Sequence, residues 1–159
     1  MDIKSGNGWP SSALSNFAPH PFEFRGFQIA SMEGLLQSSK FKPKEMQAHI
    51  FTLVGKAAKY AGKKKNWQET QTLWWQGEPM KRDSQEYQDF LDEAYEALSK
   101  NDSFKRALLA TQDAVLEHSI GRSKENETVL TRREFCSRLM KLREKLKQEQ
   151  LDEIDKVLK

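Results

Sequence analysis

The sequence predicts an α+β domain that is predominantly α-helical, with a short β hairpin near the N-terminus. Apolar residues recur at helical spacing in several stretches, while one stretch alternates apolar and polar residues about an Arg-Gly pair. The third observation is compositional: 159 residues, 37% hydrophobic and 10% aromatic, are one domain's worth of chain with enough apolar material for a core. A chain of this size buries about 70% of its unfolded surface, so neither disulfides nor a structural metal are required.

Residues 1–20, rich in Gly, Ser, Asn and Pro, read as irregular surface backbone. Phe22 to Ile29 alternates about Arg25-Gly26 as a hairpin does. Ser31 is placed to cap a helix carrying Met32, Leu35, Leu36 and Ser39 on one stripe and running to Phe41, before Pro43. A second helical stretch contains Met46, Ile50, Leu53 and Val54; Gly55 interrupts it, and Gly62 before Lys63-Lys64-Lys65 reads as its C-terminal glycine. The tryptophan-bearing stretch 66–81 reads as a structured loop.

Asp83 with Glu86 forms a capping-box pattern ahead of Tyr87, Phe90, Leu91, Ala94 and Leu98, the strongest helical period in the chain. Asp102 or Ser103 is expected to cap the next helix, with Phe104, Ala107 and Leu108 inward. Ala114 to Ile120 is a short apolar run of undecided type. Thr131 with Glu134 is a further capping box, followed by Phe135, Leu139, Leu142 and Leu146 and then a charged helical tail, 147–159.

Composition narrows function only modestly. With 26 Lys+Arg against 23 Asp+Glu the net charge is +3, which permits nucleic-acid or nucleotide contact without demanding it. One cysteine, Cys136, excludes an internal disulfide, and no signal-peptide or membrane-spanning run is evident, so a cytoplasmic location is expected. Gly55-Lys56 lacks the upstream glycine of a phosphate loop. His20, His49 and His118 lack metal-ligand spacing, so no metal is expected, and Cys136 reads as a packing or surface thiol.

What remains is a polar row, Glu33, Gln37 and Lys40, spaced by four and three on the helix after Ser31. Two readings stand for it: a solvated helix face, or one side of a site completed by the preceding Leu14-Ser15-Asn16-Phe17 turn.

The string LSNF at Leu14 to Phe17, the Pro-Phe hairpin, and Glu33, Gln37 and Lys40 together resemble the NADAR family, also called YbiA-like N-glycosidases. Further matches follow in order: Ala58-Lys59 with Gly62, Leu108 to Thr111 with Leu116-Glu117, and Leu139-Met140 with Leu142-Arg143. They span about 13–146, within a single 1–159 domain. Gly34 stands where many members carry His after the glutamate, and the Trp-Gly and Gly-x-Asn elements before the last helix are missing. That divergence resembles the branch carried by large bacterial viruses.

The resemblance implies a YbiA-like fold and hydrolysis of an N-ribosidic bond without metal or redox cofactor. The implied partner is ADP-ribosylated nucleic acid or a nucleotide-like small molecule, with guanine-linked ADP-ribose ahead of phosphoribosylated riboflavin-biosynthesis intermediates, and ahead of a binder that has lost turnover. Glu33 takes the catalytic carboxylate role, with Lys40 as proton donor or phosphate partner. For that reaction Asn16 suits the ribose hydroxyls, Phe17 or Trp67 a stacked base, and Lys59 with the amides around Gly62 a phosphate, while Gln37 lies on the substrate side of the polar row. Glu117 or Asp113 is the candidate second carboxylate. A monomer is expected, with dimerisation through the C-terminal helix as the alternative.

Overall fold

A computed structural model describes residues 1–159. Seven helices and two separate two-stranded antiparallel sheets follow in the order α1 (Ser11–Leu14), β1 (Phe22–Phe24), β2 (Phe27–Ile29), α2 (Met32–Ser38), α3 (Lys44–Ile50), α4 (Gly55–Lys63), β3 (Thr72–Trp75), β4 (Glu78–Lys81), α5 (Gln85–Leu98), α6 (Asp102–Ala110) and α7 (Arg132–Leu158). The expected α+β class, mainly helical with an N-terminal hairpin, is what forms. No helix is long and apolar enough to cross a membrane.

The β1–β2 hairpin turns on Arg25 (φ 50°) and Gly26 (φ 86°), pairing Phe24 with Phe27 and Phe22 with Ile29. Two successive positive φ values give the turn whose twist matches the strands. The Arg25 guanidinium lies over the Phe24, Trp75 and Phe90 rings and donates to Glu93 on α5, so the turn is held from both sides.

The stretch 66–81, expected to be a loop, holds a second hairpin of the same kind, with Gln76 (φ 49°) and Gly77 (φ 86°) between β3 and β4. Pro79 is tolerated because a two-stranded sheet has only edge strands. The fully buried Gln47 on α3 locks this hairpin down. Its amide nitrogen donates to the carbonyls of Ser38, Phe41 and Trp74, and its oxygen accepts from the Gln76 backbone and side chain, at 2.9–3.1 Å.

Helix ends depart from expectation by a residue or more. Ser31 does cap α2, accepting from the Gly34 amide, but α2 stops at Ser38, three residues before Phe41. Gly55 begins α4 instead of interrupting a helix, and Gly62 lies within the last turn of α4 rather than beyond its end. Ser84, not Asp83, caps α5, and Asn101, not Asp102 or Ser103, caps α6; in both, a side chain three residues upstream reaches the accepted amide. The Thr131/Glu134 capping box forms as expected.

The core gathers Leu35 and Leu36 of α2, Tyr87, Phe90 and Leu91 of α5, Phe104 and Leu108 of α6, and Phe135 and Leu139 of α7. Cys136 joins it as a packing thiol, and burial pushes its pKa up. Within this core lies an ion pair. Arg82, fully buried, meets Glu134 at 2.5 and 3.0 Å, and its Nε donates to the Thr128 carbonyl at 2.9 Å. The buried Tyr87 hydroxyl donates to the neighbouring Val129 carbonyl at 2.6 Å. The loop before α7 is thereby tied to α5. At the other end of α7, Leu151, Ile154, Val157 and Leu158 are exposed.

The undecided run 114–120 is irregular chain with one bridge at Glu117 and a turn from His118, and the first residues of the chain pair with it. Asp2 forms a parallel bridge with Glu117, Ile3 donates to the Glu117 carbonyl, and the Asp2 carboxylate accepts from the Ser119 amide and hydroxyl. Those two bonds hold Asp2 at a pKa of about 2.

Candidate functional site

The Asn16-Phe17 turn and the start of α2 are one unit. The Asn16 carbonyl accepts from the Glu33 amide at 3.0 Å, and the Asn16 side-chain oxygen accepts from the buried Tyr95 hydroxyl at 2.8 Å. The second bond fixes the orientation of the amide, leaving its nitrogen free of partners in the protein. Phe17 is held by its own amide donating to the Ser15 hydroxyl.

This unit walls a cavity of about 270 Å³, whose lining includes Asn16, Phe17, Glu33, Gln37, Lys59, His118, Arg122 and the segment Thr128–Leu130. A second lobe of about 530 Å³ shares Gln37, Lys59, Arg122, Thr128 and Val129 with the first and adds Lys40, Lys63, Trp67, Gln68 and Glu127. The two lobes form one cleft. One end holds a carboxylate, and the other sets four cations, Lys40, Lys59, Lys63 and Arg122, against the single acid Glu127.

Glu33 is the distinctive group. Burial raises its pKa above the ordinary carboxylate value, against the opposing pull of the Gln37 hydrogen bond and the charges of Lys40, Lys59 and His118. Gln37 Nε2 donates to Glu33 Oε1 at 2.9 Å, the i,i+4 contact that the spacing allowed. Lys40 lies two residues past the end of α2, and burial lowers its pKa; its Nζ donates to the Gly62 carbonyl at 3.3 Å. The polar row is therefore not a solvated face.

Gly62 works through Gln37. A Cβ at position 62 would overlap Gln37 Oε1 and come within 3.1 and 3.2 Å of its Cδ and Cβ, and that oxygen has no hydrogen-bond partner. Gly62, expected at a phosphate, is not among the residues that line either lobe, and its missing side chain makes room for the residue that holds Glu33. Gly62→Ala is expected to cost about 1–3 kcal/mol by overpacking. Urea unfolding measures this, and a loss below 0.5 kcal/mol, a roughly neutral value, would show that Gln37 simply moves aside.

Three further expectations change. Trp67 edges the cationic lobe but is only 3% exposed and packed in the core, so it has no free face for stacking. The Asp113 side chain is 95% exposed and bonds Lys147 at 2.6 Å, which lowers its pKa. Glu117 pairs through its backbone with the first residues, its side chain turned to solvent. Neither acid lines the cleft. His118, Arg122 and Thr128–Leu130 do, and helical spacing could not have found them, because they sit on extended and irregular chain. Their one sequence signal is position, directly after Leu116-Glu117. No three His, Cys, Asp or Glu side chains converge as a metal site would require.

The profile of the family described as Bacteriophage protein GP30.3 matches residues 8–144, which includes every cleft residue except Ser5. This chain belongs to that family. The GP30.3-family protein is 42% identical over 149 residues to the uncharacterized 17.1 kDa protein in the Gp30-rIII intergenic region of Enterobacteria phage T4, covering 92% of this chain and 98% of the phage protein. Its fold matches the NMR structure of the E. coli protein YbiA with a TM-score of 0.64 at 21% identity, over 95% of this chain and 86% of that one. The YbiA-like fold implied by the resemblance is borne out, and at that identity the likeness concerns fold alone.

Proposed function

We propose that this protein is an N-glycosidase of the NADAR type that hydrolyses an N-ribosidic bond, releasing ADP-ribose from ADP-ribosylated guanine in nucleic acid. The observation that carries this reading is a partly buried carboxylate, Glu33, set in a cavity that shares five lining residues with a cation-lined lobe. Breaking the bond from C1 of ribose to a base nitrogen builds positive charge at C1. A carboxylate held in a poorly solvated position stabilises that charge and orients the attacking water.

The neighbouring lobe suits the other part of the substrate. Four cations around about 530 Å³ match a diphosphate better than a single phosphate, which favours ADP-ribose over phosphoribosylated riboflavin intermediates. Lys40, bonded to the Gly62 carbonyl in that lobe, is assigned to phosphate. The Asn16 amide nitrogen, left free by Tyr95, is placed to donate to a ribose hydroxyl.

The test is mass-spectrometric detection of free ADP-ribose after incubation with an ADP-ribosylated guanine oligonucleotide. Release by the parent and not by Glu33→Gln supports bond and residue together. No release by the parent rejects this substrate in favour of the riboflavin intermediates. Failure on both, with ligand retained, would make the protein a binder.

A further inference from the structure

We infer that His118 is the group that delivers a proton to the departing base nitrogen, an inference that rests on the N-glycosidase reading above. The residue stands where the cleft needs a proton donor. Glu33 and His118 line the same lobe, whereas Lys40 lines only the cationic one and has its ammonium on the Gly62 carbonyl.

The ring is built in. Nδ1 lies 2.8 Å from the Ile3 carbonyl, and since a carbonyl can only accept, Nδ1 carries a hydrogen. Nε2 makes no hydrogen bond within the protein and is left for a ligand. Phe135 of α7 meets the ring edge-on at 5.1 Å, and Gly121 leaves space beside it, since a Cβ there would lie 2.6 Å from His118 Cδ2. The Ile3 carbonyl is itself fixed, because Ile3 donates to Glu117 and Asp2 is bonded to Ser119 on the other side of His118. The charged groups around the ring are Glu33, Lys59 and Arg122 across the lobe and Asp2 and Glu117 on the anchored side.

An imidazole with Nδ1–H committed to a carbonyl exchanges protons at Nε2 alone, the arrangement of a directed acid. As the C1–N bond breaks, its electron pair goes to the base nitrogen, which takes the proton from Nε2 of the imidazolium. Water adds to C1 and gives its proton to the Glu33 carboxylate. Proton return from Glu33 to His118 through solvent restores both, and the net reaction consumes one water.

The test compares the parent, His118→Asn and His118→Gly on the guanine-linked oligonucleotide. Asn keeps a donor near the Nδ1 position and removes the Nε2 nitrogen, so kcat is expected to fall about 10²–10⁴-fold with KM within threefold. Added imidazole is expected to restore turnover to His118→Gly, which a structural role would not permit. Two outcomes overturn the inference while leaving the N-glycosidase reading intact: an active parent with an Asn variant within threefold of it, or variants that lose activity and stability together and are not rescued by imidazole. A parent that releases nothing rejects both.

Discussion

Glu33→Gln is expected to lower kcat by a factor on the order of 10³ and, at pH 8, to raise the melting temperature by a few degrees. The two effects have one origin. A carboxyl whose pKa is raised by burial binds protons in the folded state over a pH range where the unfolded chain, near 4.5, has already released them. Stability then falls as pH rises from about that value through the raised one, and levels off above it. Glutamine has no such slope and still accepts from Gln37. Parent and variant should therefore unfold at similar temperatures at pH 4 and diverge toward pH 8. A variant less stable than the parent at pH 8 would mean that the carboxylate is well accommodated, and the argument from its burial would fall.

Removing the guanidinium of Arg82 is expected to have the largest effect on stability. Arg82→Met leaves the buried Glu134 carboxylate without its guanidinium partner, held only by Gln88 and the Thr131 amide, and strips the Thr128 carbonyl of a donor. Burial alone would raise the Glu134 pKa, and the bonds from Arg82, Gln88 and the Thr131 amide instead hold it below its ordinary value. Breaking such a pair from one side costs about 3–5 kcal/mol, a melting shift on the order of 10 °C for a chain of this size. Arg82→Met with Glu134→Gln should recover part of the loss, because Gln keeps the capping bond without the charge. A single-variant cost below 1 kcal/mol by urea unfolding would reject the argument.

Local patterns were legible and long-range ones were not. The Arg25-Gly26 hairpin and the Thr131/Glu134 box were readable because their determinants lie within four residues of one another. The Gln76-Gly77 hairpin carries the same kind of determinant, but Pro79 and the flanking tryptophans argued for a loop, and only the fully buried Gln47, 29 residues upstream, decides it. Glu33 and Gln37 stood out through helical spacing, and the LSNF turn through family resemblance. What spacing could not supply was the far wall. Asp113 was a candidate and His118 was not, yet the fold turns the first to solvent and sets the second in the cleft with its ring on the Ile3 carbonyl.

The two walls of the cleft come from distant parts of the chain: Asn16 to Gln37 on one side, His118 to Leu130 on the other. Closing so wide a separation in sequence is entropically slow, and it must precede any reward from the contacts it makes. During synthesis the first wall leaves the ribosome long before the second exists. A nascent chain ending before about residue 118 carries Glu33 with no opposing surface, so competence for ligand should switch on late and abruptly, when the loop tied by Arg82 and Tyr87 locks into place.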